Sequence, residues 1–160
     1  QLGRARPDLQ FAELRGNIDR RLSKIPDGGA IVMAVAALDI LGLTDRIAQI
    51  LDVDEFVPAV GQGCVAVECR IDDPSTREAL AAIDHATTRH DVEVERAFLA
   101  ELGSGCSLPV GAHACEGTLR TFLADLDTGV SVSDELALPG GAADLDIARA
   151  AATAAHRALS

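Results

Sequence analysis

The alanine-rich stretch from about residue 143 to 159 puts Leu145, Ala148, Ala152, Ala155 and Leu159 on one stripe at helical spacing. The chain has four aromatic residues, all Phe, and neither Trp nor Tyr, so aliphatic and alanine side chains must fill whatever core it has. Upstream of this helix lie three strand candidates, 108–115, 118–126 and 129–137, with "DTG" at 127–129 as a hairpin turn. A helix over 87–102 ("TTRHDVEVERAFLAEL") precedes them and is ended by Gly103 and Gly105. Residues 85–160 therefore predict an α+β unit, a small three-stranded antiparallel sheet covered by helices.

The earlier part of the chain has a different character. "DLQFAEL" (8–14) alternates polar and apolar and predicts a strand. "RGN" breaks it, with Asn17 as N-cap for "IDRRLSKI". "PDGG" (26–29) is a turn, and "AIVMAVAAL" is an apolar run that fits either a buried strand or a strand passing into a helix. "LTDRIAQIL" (43–51) has helical spacing with Thr44 as its cap. "CVAVECR" (64–70) alternates like a strand after a tight turn, and "DPSTREALAAI" predicts a helix with Pro74 and Ser75 in its first turn. Residues 1–57 thus have α/β character but begin in mid-pattern, which creates the expectation of a preceding N-terminal portion.

Charge and cysteine content narrow the function classes. The net charge is −11, and with so few aromatic residues a nucleic-acid surface is not expected. No apolar run approaches the ~20 residues of a spanning helix, so no membrane partner is expected either. The charge is unevenly spread. Residues 1–24 hold six basic side chains (Arg4, Arg6, Arg15, Arg20, Arg21 and Lys24) against three acids, whereas the remainder is strongly acidic. An anionic small molecule finds its attractive field near the start of the chain. Cys64, Cys69, Cys106 and Cys115 are too few and too scattered for a disulfide framework, and their spacing matches no usual zinc pattern. No metal is expected, and a reducing cytoplasmic setting is.

Three short motifs carry chemistry, each with a second reading. Arg15 and Arg21, in "RGN-x3-RL", sit where two guanidinium groups can chelate carboxylates from two directions, or where a solvated helix start simply exposes them. In "GQG" (61–63) the glycines let a ligand approach the main chain at Gln62 and Gly63, or merely make a tight turn. Cys106 follows a helix end within "GSGC", where a thiol is reachable and able to attack an electrophilic carbon, or is incidental.

The order and surroundings of these motifs resemble the porphobilinogen deaminase (hydroxymethylbilane synthase) family. The matching text is "LRGNIDRRLSKI", "AIVMAVAALDILGL", "PAVGQGCVAVECR", "ERAFLAELGSGCSLPVGAHA" and the closing helical segment, which together cover essentially the whole chain. The resemblance implies an enzyme of tetrapyrrole (haem) biosynthesis. Such an enzyme condenses four porphobilinogen molecules head to tail into hydroxymethylbilane with release of ammonia. It implies a dipyrromethane primer held by a thioether on Cys106, and Arg15 and Arg21 as binders of the acetate and propionate arms of porphobilinogen and the growing oligopyrrole. It also implies that Gln62 and Gly63 contact the rings. The implied architecture is two domains resembling periplasmic binding proteins followed by a third carrying the cysteine. Residues 1–57 then represent the latter half of domain 2, 58–84 a segment returning to domain 1, and 85–160 domain 3.

The chain departs from that family in ways that matter. The upstream half, with the aspartate that handles protons at the pyrrole nitrogens, has no counterpart here, so no catalytic acid is identifiable. Ile40 stands where the family has a carboxylate-binding Arg, with Asp39 beside it, and "PDGGAIVM" lacks the Asp that usually precedes "AI". The expectation is a chain inactive without the missing N-terminal half. The alternative is a non-catalytic relative that binds a pyrrole chain or is a structural remnant.

Overall fold

The computed structural model describes residues 1–103 and 109–159. The chain divides into two compact units, Gln1–Asp52 and Val53–Ser160.

In the first unit the regular elements are α1 (Leu2–Ala5), α2 (Ile18–Leu22), α3 (Val35–Ile40) and a 3-10 turn at Thr44–Arg46. Asn17 caps α2 as expected, its side-chain oxygen accepting from the Arg20 amide at 3.0 Å. The apolar run is extended up to Ala34 and enters α3 at Val35. Other expectations need correction. The strand over 8–14 is not formed, and no described residue of Gln1–Asp52 lies in a strand, so the α/β character expected of residues 1–57 is not expressed as a sheet. Leu9 and Phe11 are exposed. The helix over 43–51 contracts to one turn with Thr44 inside it rather than capping it. Both failures have one physical cause. An alternating or amphipathic pattern is stabilised by what covers its apolar face, and a short segment with an uncovered face does not pay back its own ordering entropy. Only Leu38 is a buried hydrophobic residue in this unit.

The second unit adds α4 (Pro74–Ala81), α5 (Ala86–Glu101), β1 (Val110–Cys115), β2 (Thr118–Ala124), β3 (Ser131–Ala137) and α6 (Ala142–Leu159). The strands form one antiparallel sheet in the order β1-β2-β3. Cys115 pairs with Thr118, leaving a two-residue turn in which Glu116 and Gly117 both have positive φ, 49° and 74°. That is the backbone a tight hairpin needs, and glycine at its second position adopts it without strain. In the next hairpin the Asp125 carboxylate accepts from the amides of Asp127 and Thr128, and Gly129 sits at φ 72°.

Helices α5 and α6 pack on each other and against the sheet. The core joins Val94, Ala97 and Phe98 of α5 to Ala112, Ala114 and Leu119 of the sheet and Ala148, Ala151 and Ala152 of α6. The predicted stripe is therefore the buried face of α6, with Ala151 added to it. Alanines there let the helices approach closely enough for Phe98, fully buried, to supply most of the bulk. "CVAVECR" is again a correction: residues 64–70 are in no strand, and Val65, Val67 and Ile71 are 85%, 56% and 87% exposed.

Candidate functional site

The turn containing Gln62 and Gly63 is built by two backbone bonds, Gln62 N–H to the Ala59 carbonyl at 2.9 Å and Cys64 N–H to the Gly61 carbonyl at 3.1 Å. Gly61 and Gly63 have φ of 72° and 86°, where a side chain would be strained, so the flanking glycines meet a backbone requirement. Gln62 and Gly63 are exposed.

This turn is fastened to the free edge of β1. The Ala112 amide donates to the Pro58 carbonyl at 3.0 Å. The next outward-pointing amide, Ala114, donates to Glu95 Oε1 at 2.9 Å, and Glu95 Oε2 accepts from the Gly61 amide at 2.7 Å. One carboxylate, 4% exposed, thus bridges the edge strand and the turn. His113 Nδ1 stands 3.5 Å from Glu95 Oε1. Gly111 makes the approach possible, since a Cβ there would lie 2.7 Å from the Val57 carbonyl oxygen and 3.0 Å from that of Pro58. These bonds satisfy edge donors that would otherwise be open to another chain. Outside the turn, Arg120 Nε on β2 lies 2.9 Å from Asp54 Oδ1 and 3.5 Å from Glu135 Oε2.

In the first unit, Arg15 is exposed and paired with Glu13 at 2.9 Å. Arg21 is half-buried and donates from Nη2 to the Val32 carbonyl at 3.0 Å. Its Nε is buried and has no hydrogen-bond partner among the described residues. An orphaned guanidinium donor of this kind costs free energy unless an acceptor reaches it. Ile40 is 84% exposed. Cys106 lies outside the described residues, three positions before Pro109 in sequence.

Sequence reasoning missed Glu95. The signal was present: it is a carboxylate directly beside Val94 and three residues before Phe98, on the face that the helical pattern assigns to the core. Asp144 was missed in the same way. It is 1% exposed, accepts from His90 Nε2 at 2.8 Å and from the Gly140 amide at 2.9 Å, and ties α5 to the start of α6. Among the described residues no three His, Cys, Asp or Glu side chains are grouped to hold a metal ion, and no helix is long and apolar enough to cross a membrane.

A cofactor-binding segment followed by a small α+β domain is the class that comparison with known proteins defines. Residues 1–78 match the family model described as porphobilinogen deaminase, dipyromethane cofactor binding domain, and residues 90–152 match the porphobilinogen deaminase C-terminal domain. Among curated relatives, the porphobilinogen deaminases of Trichlorobacter lovleyi and Pelobacter propionicus are each 41% identical, over 90% and 87% of this chain and 47% of their own length. That of Chlorobium chlorochromatii is 39% identical over 88% of this chain and 47% of its own. The chain belongs to the porphobilinogen deaminase family. It spans about half the length of the curated relatives it matches.

Proposed function

We propose that this chain contributes the oligopyrrole-holding part of a hydroxymethylbilane synthase, which condenses four porphobilinogen molecules with loss of ammonia. In this reading Cys106 carries the dipyrromethane through a thioether, Arg21 and Arg15 receive its carboxylate arms, and Gln62 and Gly63 face its rings. The single observation that carries the reading is the buried Nε of Arg21, which has no acceptor among the described residues and lies within the segment matching the cofactor-binding domain. A propionate or acetate oxygen is the acceptor such a donor lacks, and Nη2 is already anchored on Val32, so the guanidinium is oriented before the ligand arrives. Arg15 would exchange Glu13 for a ligand carboxylate, a swap between two exposed anions at little net cost. When bound, the dipyrromethane supplies the primer end at which pyrroles are added. The glycine-flanked turn offers the Gly63 backbone amide and the Gln62 side-chain amide at its exposed tip, the amides of Gly61, Gln62 and Cys64 being already bonded.

Residues 1–57 are proposed to be the latter half of a second domain of periplasmic-binding-protein type, 58–84 a return to the first domain, and 85–160 the third. No described residue takes the role of general acid at ammonia loss, so turnover is proposed to need the polypeptide that corresponds to the other half of the relatives' length. The exposed apolar residues Phe11, Val65 and Val67, on segments with strand patterning but no strand partner among the described residues, support that need.

Intact-mass measurement tests the central step. After incubation with an aminomethyl dipyrromethane, from which the Cys106 thiol displaces ammonia to form the thioether, the chain is expected to gain the mass of that compound less one ammonia, and Cys106→Ala to gain nothing. An unmodified wild-type mass, or equal loading of the Ala variant, overturns the assignment.

A further inference from the structure

Glu95 sits on α5, the helix that packs against β1, yet its carboxylate is spent on two backbone amides of other segments. We infer that Glu95 is a positioning residue that fixes the Gly61–Gln62–Gly63 turn against the edge of β1, and so sets how that turn meets its ligand. The inference rests on the reading of Gln62 and Gly63 as ring contacts only for its last clause.

The geometry supports the role on three counts. A carboxylate has an acceptor oxygen for each of two donors, and here each oxygen takes one, at 2.7 Å and 2.9 Å. Both bonds are of the charge-assisted kind, stronger than bonds between neutral groups. The segment leading into the turn is held at a second point by the Ala112–Pro58 bond over Gly111, so the turn has a fixed base and a fixed first amide. Residues 65–69, which follow the turn, have no bond to another segment among the described residues. A glycine-flanked turn has many accessible backbone conformations, and a ligand that needs one of them binds more weakly by the fraction of time spent in the others. The carboxylate removes those others.

The same geometry says what Glu95→Gln does. The amide side chain has one acceptor oxygen, and its NH2 cannot accept. Ala114 is buried in the sheet, whereas the Gly61 amide is only partly buried and can turn to water. The oxygen therefore stays with Ala114, where an orphaned donor costs more, and Gly61 is released.

Amide hydrogen exchange on the full 160-residue chain, read by NMR, tests this directly. In Glu95→Gln, exchange at Gly61 is expected to rise about tenfold, while Ala97 and Phe98 of α5 keep wild-type protection. Gly111→Ala is the second variant: its new methyl pushes Val57 and Pro58 off β1 and is expected to raise Gly61 exchange with Glu95 intact. Titration with porphobilinogen is expected to move the Gln62 and Gly63 amide signals in the wild type, with about tenfold weaker apparent affinity in Glu95→Gln. Unchanged Gly61 exchange in Glu95→Gln overturns the positioning role. So does a loss of protection spread evenly along α5 and β1, which marks a merely structural residue. Faster Gly61 exchange in a protein whose Gln62 and Gly63 signals ignore porphobilinogen supports the tether and overturns the ring-contact reading instead.

Discussion

Asp144 shows how a charged residue enters an alanine face without spoiling it. It lies at the first turn of α6, 1% exposed, with one oxygen on the Gly140 amide and the other on His90. Removing it orphans a backbone donor and an imidazole, and leaves a hole between two packed helices. Asp144→Ala is expected to lower unfolding free energy by roughly 3 kcal/mol. His90→Ala, whose side chain is one third exposed, is expected to cost about 1 kcal/mol because water can replace it. Urea midpoints of the two variants and the double mutant check both values, and equal costs for the single variants would show that His90 dominates the pair. At this scale the sequence was partly readable. Arg15, Arg21, Gln62 and Cys106 stand out by motif, whereas for Glu95 and Asp144 the helical pattern marks at most a buried face and not what the carboxylate does there. Their roles depend on amides of other segments, Gly61, Ala114 and Gly140, and nothing in local spacing announces those partners.

Elements were readable where their apolar faces are covered or their ends are capped. Helices α5 and α6 and the three strands lie within one or two residues of their expected ranges, because their apolar faces cover one another. The segments 8–14, 43–51 and 64–70 have the same kind of pattern and did not become the elements it encodes, since their apolar side chains are at best half-buried. Helix α4 forms with little burial and depends on its cap. Asp73 accepts from the Thr76 hydroxyl at 2.7 Å, the Thr76 amide at 3.0 Å and the Ser75 hydroxyl at 2.8 Å. Thr76's hydroxyl above all, then its amide, holds the Asp73 carboxyl down to about 2. A carboxyl with a depressed folded value stabilises above its unfolded value and loses that contribution as pH falls through the folded one. The cap is therefore expected to persist at pH 3 and to fail near pH 2. The Asp73 carboxyl carbon shift should show it, with a midpoint about 2 in the wild type and closer to 3.8 in Thr76→Ala. A midpoint near 3.8 in both proteins would mean the cap does not form in solution.

The whole molecule divides by burial more sharply than by sequence. Of the buried hydrophobic residues, Leu38 alone belongs to Gln1–Asp52, and all the others, including the fully buried Phe98 and Leu119, belong to Val53–Ser160. Hydrophobic burial is the main term opposing chain entropy, so cooperativity must reside in the second unit. Within that unit it resides in α5, the sheet and α6, which share one core. The expected consequence is that a chain of residues 53–160 melts within about 2 °C of the 160-residue chain, because what it lacks contributes almost no buried apolar area. Amides of β2 and α6 should exchange only through global unfolding, and those of 8–14 and 64–70 within the dead time of the measurement. Adding the polypeptide that corresponds to the other half of the relatives' length should then slow exchange in 8–14 and 64–70 and leave β2 unchanged, since only the former have uncovered apolar faces and open backbone. Slow exchange in those segments without any added polypeptide would mean that they are already covered in this chain. The requirement for a complementary half would then fall, although the match of residues 90–152 to the porphobilinogen deaminase C-terminal domain would not.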